Sequence, residues 1–487
     1  MMRQEGGLTA WQLTMLALGT VVGGSFFLGS AVAIRSAGPA VIVAFLAGGA
    51  LVYIILFALS EMTVADAAPG SFRTFAERAF GPGAGFTVGW VYWTGLVLAM
   101  SSEATAVSIF VRNWLPALSI PLMGAAIIVA VTVLNLFGAD RLSRLESGLA
   151  AVKLAAIVGF IALGAALIAG LVPGVPAAGA GALTAEPLLP GGVGGLAGSM
   201  LIVIFSYAGF EVIGLAASEA RDPHRTVPRA IGMTVAGLVG LYVLAMAALL
   251  PLVPAGALTT EVSPLVAALA AWRLAWAGNA MNMVLVSAIL STMLAAMFGL
   301  GRMMRSLAEE GHAPAWLKDK GDIPYRGILF SGAGMLAGLA LGLVLPAQVY
   351  LFLVSAGGFS LLLAYAVILA THYKFRKLHG CPPKGNCQLP GYPYTSWLGL
   401  GACVAIIASM PLIPGQGAGL AAGLGLLAVF AAAYQVKKRA GARAARPATD
   451  RRDLLLRLQL ELAEDFALGE RQVGRETCGE KEKGPSE

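Results

Sequence analysis

Charge is what this chain most lacks. Asp, Glu, Lys and Arg make up 12% of its 487 residues, against about 25% in a soluble globular protein. With 58% hydrophobic residues and a mean hydropathy of +0.79, a water-soluble domain is excluded and most of the chain belongs in lipid. The net charge is +7, but the basic residues are dispersed through short loops and the C-terminal tail, which excludes a nucleic-acid surface. Cysteine is scarce too. The four present (Cys381, Cys387, Cys403 and Cys478) show no paired framework, which excludes a disulfide scaffold and points to reduced thiols. His379, Cys381 and Cys387 in LHGCPPKGNC match no zinc spacing and have no evident fourth ligand, so a proline-rich loop is expected there rather than a metal site. The glycine-rich GGVGGLAG (191–198) lacks the strand, lysine and helix of a phosphate-binding loop. No Ser, His and Asp share a common depth, so neither a hydrolytic constellation nor a cofactor is expected.

What the chain has is apolar sequence in lengths that match a bilayer. Twelve segments can be drawn, at roughly 8–34, 39–64, 83–111, 121–137, 147–171, 196–217, 229–251, 279–301, 328–345, 349–371, 395–411 and 416–435. The first is too long for a signal-peptide core and has no persuasive cleavage site, so it reads as a retained span. Lysine and arginine set the direction. One set of loops holds Arg73, Arg78, Arg141, Arg144, Arg221, Arg225, Arg229, Arg302, Arg305, Lys318, Lys320, Arg326, Lys374, Arg376, Lys377 and Lys384; the other holds only Arg35, Arg112 and Arg273. With Arg3 and the basic tail added to the first set, both termini are expected in the cytoplasm, and an even number of spans follows. Residues 1–436 then form the spanning body and 437–487 a basic tail. The tail's apolar positions between Leu454 and Leu468 recur at helical spacing among charges, the pattern of a soluble or interfacial amphipathic helix.

Two of the twelve segments are poor uninterrupted helices. Leu16 to Ala31, LALGTVVGGSFFLGSA, carries Gly19, Gly23, Gly24, Ser25 and Gly29 at its centre. Segment six, LIVIFSYAGFEVIGLAAS, has Gly209 mid-span beside Ser206 and Glu211. Irregular backbone persists at membrane depth only against protein or a water-filled cavity. Paired interruptions in corresponding spans of two halves mark a transport site, because broken helices expose amides for an anion and carbonyls for a cation. Together they suit the two ends of a zwitterion. Small residues serving close helix packing account for the glycines equally well, though not for Glu211.

Beyond composition and spacing, GTVVGGSFFLGSA (19–31) resembles the first-span motif of the amino acid–polyamine–organocation (APC) superfamily of permeases. FSYAGFEVIGLAASEARDPHRTVPRAI (205–231) resembles its sixth span and following loop. SEMTVADAAPGSFRTFAERAFGPGAGFTVGWVYW (60–93) and GRMMRSLAEEGHAPAWL (301–317) resemble the loops after spans two and eight. The likeness covers about residues 8–436. It implies an all-α integral membrane fold of the LeuT type, with inverted repeats at about 8–171 and 196–371, two further helices over 395–435, and transport by alternating access. It also implies a site. The substrate carboxylate would meet the amides of Gly23, Gly24 and Ser25, and the ammonium the carbonyls of Val21, Phe205, Ser206 and Ala208, with the Phe205 ring as a lid. Ser25 stands where the family usually has a third glycine.

Lys153, in SGLAAVKLAAIVGFIAL, is a cation inside span five. An ionisable group at that depth is a functional candidate by default. A lysine reaching along its helix toward the interface is the alternative. The resemblance favours the first reading, since proton-coupled members place a lysine here, near spans one and eight, where Ser287, Ser291 and Thr292 would face it. Glu103 (LAMSSEATAVS) and Glu211 are secondary proton-coupling candidates, each as readily a hydrogen bond between helices. Glu61 and Glu219, near span ends, are assigned to loop architecture. The expectation is a plasma-membrane importer of an amino acid with a proton, surrounded by lipid, needing no obligatory protein partner. A pocket of backbone and small side chains fits a neutral or apolar substrate, whereas an acid from span three or eight would select a basic one. An amino acid/amine exchanger of the same fold and a non-transporting amino acid sensor are the rivals; an enzyme is not expected.

Overall fold

The computed structural model describes residues 7–65, 72–211, 213, 220–319, 321, 323–344, 349–381 and 389–439. Among them the chain is helical, with one isolated parallel bridge between Leu8 and Ala220. In chain order the helices are α1 (Ala10–Val21), α2 (Gly24–Phe27), α3 (Gly29–Ala37), α4 (Val41–Ala65), α5 (Phe72–Phe80), α6 (Pro82–Arg112), α7 (Ile120–Asn135) and α8 (Ala139–Ile168). They continue as α9 (Gly192–Ser206), α10 (Pro223–Leu249), α11 (Pro264–Ala271), α12 (Ala275–Glu309), α13 (Tyr325–Val344), α14 (Val349–His379), α15 (Tyr394–Ser409) and α16 (Gln416–Arg439). A helix falls on each of the twelve apolar segments. Among the described residues eight stretches are long and apolar enough to cross a membrane, and four shorter apolar helices accompany them: α1, α7, α9 and the Tyr325–Leu341 part of α13. The chain divides into two compact units, Met1–Phe430 and Ala431–Glu487. The amphipathic segment Leu454–Leu468, Arg3, Lys320, Lys384, Glu219, Cys387 and Cys478 lie outside the described residues.

Local sequence explains several boundaries. Span one begins on a capping box: Gln12 N donates to Thr9 Oγ1 at 3.3 Å and Thr9 N to Gln12 Oε1 at 2.9 Å. It ends at Gly38 with φ +59°, followed by Pro39. Helix α10 opens with Pro223 at its first position, where the missing N–H costs nothing. The core is organised on α6 and α14, whose most apolar windows are 83% and 78% buried against 28% for Gly148–Ile168. Those two helices pack on each other, and α6 also meets α7, α12 and α13. Less buried helices leave apolar faces outward, as a lipid solvent allows.

Two polar clusters tie span ends together. Arg73, on α5, is buried and forks onto Glu310 at the end of α12, while His312 Nε2 meets Glu77 Oε2 at 3.0 Å. At the end of α4, Glu61 receives Arg376 Nε at 2.5 Å, Arg376 Nη2 at 2.8 Å and Leu389 N at 3.1 Å, with His372 Nε2 at 3.4 Å. Since Glu61 is 2% exposed, Glu61→Gln leaves the half-buried Arg376 guanidinium short of its anion. The expected cost is about 3 kcal/mol, read as a melting temperature several degrees lower in detergent-solubilised protein.

One expectation is corrected here. Cys381 is disulfide-bonded, not a reduced thiol; cysteine spacing in a sequence does not by itself reveal pairing. Cys403 is free and buried. His379 Nδ1 turns back to Phe375 O at 3.2 Å.

Candidate functional site

Span one loses helical geometry where the glycines predict it. Val22 takes ψ 105°, Gly23 is extended at φ −142° and ψ −165°, and the chain resumes as α2. Extended backbone at Gly23 is open to any residue. What favours glycine is space. A Cβ on Gly23 would lie 3.3 Å from Thr292 Oγ1 and 3.4 Å from both carboxylate oxygens of Glu103; one on Gly24 would lie 2.7 Å from Glu103 Oε2 and 3.1 Å from Ile289 Cδ1. Glu103, projecting from the middle of α6, fills that space. Gly24 N donates to its Oε2 at 2.7 Å and Ser25 N to its Oε1 at 3.3 Å. These are two of the three amides that the sequence reading reserves for a substrate carboxylate.

Span six breaks for a conformational reason. Helix α9 ends at Ser206, and Gly209 has φ +103°, a region that residues with a Cβ rarely adopt. Its amide donates to Glu211 Oε2 at 3.0 Å, and Glu211 also receives Tyr92 OH at 2.8 Å and Tyr365 OH at 3.2 Å. Three donors satisfy that buried carboxylate as an acceptor and fasten the break to spans three and ten. The two breaks are stitched together. Thr20 Oγ1 donates to Gly209 O at 3.3 Å, and Ser206 Oγ to Ser25 O at 3.2 Å. Leu8 O accepts from Arg221 N at 3.1 Å.

The carbonyls expected to meet an ammonium are close at hand and partly engaged. Phe205 O accepts from Ala208 N at 3.1 Å, and Ser206 O from Tyr242 OH at 2.9 Å; a carbonyl has a second lone pair to offer in each case. Val21 and Phe205 are buried and Ala208 half-buried. Tyr350 OH reaches Gly24 O at 3.4 Å. The Phe26 ring stacks on Tyr242 with centroids 4.1 Å apart. Tyr350 also lines a cavity of about 480 Å³, shared with Thr105, Arg112, Glu261 and Val349.

Lys153 is wholly buried, which removes the alternative of a side chain reaching the interface. Its Nζ donates to Gly19 O, in the last turn before the first break, and lies 3.4 Å from Ser291 Oγ of α12. The three span-eight hydroxyls divide: Ser291 meets Lys153, Thr292 faces Gly23, and Ser287 bonds its own helix at Val284 O. Spans one, three, five, six and eight thus meet at one place. Tyr92, Tyr242, Tyr350 and Tyr365 were not singled out from sequence. A signal existed for three of them: Tyr92, Tyr242 and Tyr365 lie inside their helices, away from the interfacial belt, where a buried hydroxyl needs a partner. Tyr350, the second residue of α14, carries no such signal. Among the described residues, Glu77, Glu310 and His312 hold ligand atoms within 4.8 Å of one another, but Arg73 already supplies the cation there.

Comparison with known proteins accords with this geometry. The amino acid permease family matches residues 12–436. The γ-aminobutyric acid permease of Escherichia coli K12 is 32% identical over 422 residues, which cover 84% of this chain and 89% of that protein. The aromatic amino acid transport protein of Escherichia coli O6:H1 is 31% identical, covering 84% and 91%. The L-asparagine permease of Streptomyces coelicolor is 29% identical, covering 83% and 84%. Among solved structures, the manganese transporter of Eremococcus coleocola, crystallised with an aromatic bis-isothiourea compound, shares the fold at a TM-score of 0.53 and 14% identity, covering 86% of this chain and 92% of its own. The chain therefore belongs to the amino acid permease family of the APC superfamily and is a multi-pass membrane protein.

Proposed function

We propose that this protein is a secondary active transporter that imports an amino acid across the plasma membrane by proton symport and alternating access. In this reading all twelve apolar helices cross the bilayer with both termini in the cytoplasm. Residues 8–171 and 196–371 form the inverted repeats, 395–435 add two helices, and 437–487 are a separate tail. The observation that carries the reading is the broken first span, whose Gly24 and Ser25 amides hold a carboxylate at membrane depth. The substrate carboxylate takes the amides of Gly23, Gly24 and Ser25, its ammonium the carbonyls of Val21, Phe205, Ser206 and Ala208, and the Phe205 ring closes over it. Names of relatives that carry γ-aminobutyrate, aromatic amino acids or asparagine support an amino acid as cargo.

Proton coupling falls to Lys153, with Glu103 as its electrostatic neighbour. A charged ammonium binds the Gly19 carbonyl about twice as strongly as a neutral amine does, so the protonation state of Lys153 biases where the inner half of span one sits. Glu211, with its three donors, keeps the span-six break in register with spans three and ten.

The test is uptake by purified protein in liposomes, using radiolabelled γ-aminobutyrate, phenylalanine and asparagine among a panel, with and without an inward proton gradient. One pH unit, worth about 1.4 kcal/mol, supports about tenfold accumulation at one proton per substrate. Gradient-driven accumulation is expected. Flux only against an internal counter-substrate makes the protein an exchanger, and saturable binding without flux makes it a sensor.

A further inference from the structure

We propose that Glu103 is a resident stand-in for the substrate's carboxylate, so that loading the site exchanges one carboxylate for another at the Gly24 and Ser25 amides. The inference rests on the reading of the first break as the substrate seat. Three observations converge on it. The carboxylate spans two successive amides, one bond to each oxygen, as a free carboxylate ligand would. It lies flush against the break, since a Cβ on either Gly23 or Gly24 would touch its oxygens. It is 5% exposed, and its near surroundings offer it a single cation: Lys153 of span five, with Thr292 of span eight and the hydroxyls Tyr242 and Tyr350 of spans seven and ten completing the enclosure.

That enclosure fits one anionic group, not two. A second carboxylate about 4 Å from the first meets a repulsion of about 4 kcal/mol at the effective dielectric of a protein site, and among the described residues Lys153 is the one cation near the seat to offset it. A substrate carboxylate must therefore displace Glu103 from the amides. Affinity becomes a difference between two similar bonds, and a ligand without a carboxylate has nothing to exchange. Glu103 thus sets the threshold for admission: it lowers the affinity of ligands whose anionic head must take its place and leaves that of the corresponding bare amines unraised.

The decisive variant is Glu103→Gln, which keeps the size of the side chain and one acceptor while removing the charge. Full-length wild-type and variant protein in lipid nanodiscs are titrated with γ-aminobutyrate, phenylalanine and asparagine, and with butylamine and phenethylamine, the amines that lack their carboxylates. The side-chain amide replaces a charge-assisted bond with an ordinary one, so the variant gains about tenfold in affinity for the amino acid that binds wild type. Affinity for the matched amine does not rise. Equal affinity of both proteins for the amino acid overturns the stand-in role while leaving the transport reading intact. Loss of amino acid and amine binding together in a variant of unchanged melting temperature also overturns it, and makes Glu103 the counter-ion of the ammonium. Binding of no amino acid by wild type sinks the substrate reading and this inference with it.

Discussion

An alanine at position 24 weakens substrate binding about a hundredfold and leaves the protein folded. Its Cβ would meet Glu103 Oε2 at 2.7 Å and Ile289 Cδ1 at 3.1 Å. The first is the far end of a flexible side chain and the second a methyl group that needs to give by only a few tenths of an ångström. The helices can therefore accommodate the change, but the face that a carboxylate must approach is covered. Two charge-assisted bonds to backbone amides, at about 1.5 kcal/mol each, are lost to the ligand, which is about a hundredfold in affinity. Binding titrations and liposome uptake, alongside a melting curve, measure the two halves of the expectation. Uptake equal to wild type removes Gly24 and the adjoining amides from the substrate seat.

The second large effect belongs to Lys153. Lys153→Ala is expected to end accumulation driven by a pH gradient while substrate still equilibrates across the membrane. The ammonium joins three helices, donating to Gly19 O of span one beside Ser291 of span eight from its own place in span five. Alanine removes the cation and leaves the Gly19 carbonyl without that donor, which on the proposed coupling uncouples span one from the proton. The contrast between accumulation and equilibration is the useful readout, because a merely misfolded variant loses both. Gradient-driven uptake that survives the substitution transfers the coupling proton to another group.

Much of this architecture was legible because lipid narrows the options. Twelve apolar stretches become helices, since backbone in hydrocarbon must satisfy itself. The two breaks were readable for different reasons that the sequence does not distinguish. Gly209 is favoured by its positive φ, whereas Gly24 is where Glu103, a residue about eighty positions away, approaches the backbone. A glycine looks the same in either case. Lys153 stood out as a lone cation in span five, but its partner, a backbone carbonyl, has no sequence signature. The three span-eight hydroxyls were gathered into one group by spacing, and helical rotation then sent each to a different partner. The bond from Glu103 to the first-span amides was missed for a related reason. Sequence shows that an acid lies at membrane depth, while the direction in which its helix turns it depends on packing against α12 and α14.

The cover that Glu103 places over the first break has a meaning for the membrane as well as for the substrate. A gap in a helix with bare amides, halfway through an electrical insulator, invites water and small inorganic anions to dwell there and creep across. With a side chain already seated on the Gly24 and Ser25 amides, the idle protein has two fewer bare donors at its first break. For the proton-driven importer proposed above, that cover lets idle copies stand in the membrane without leaking the gradient they use.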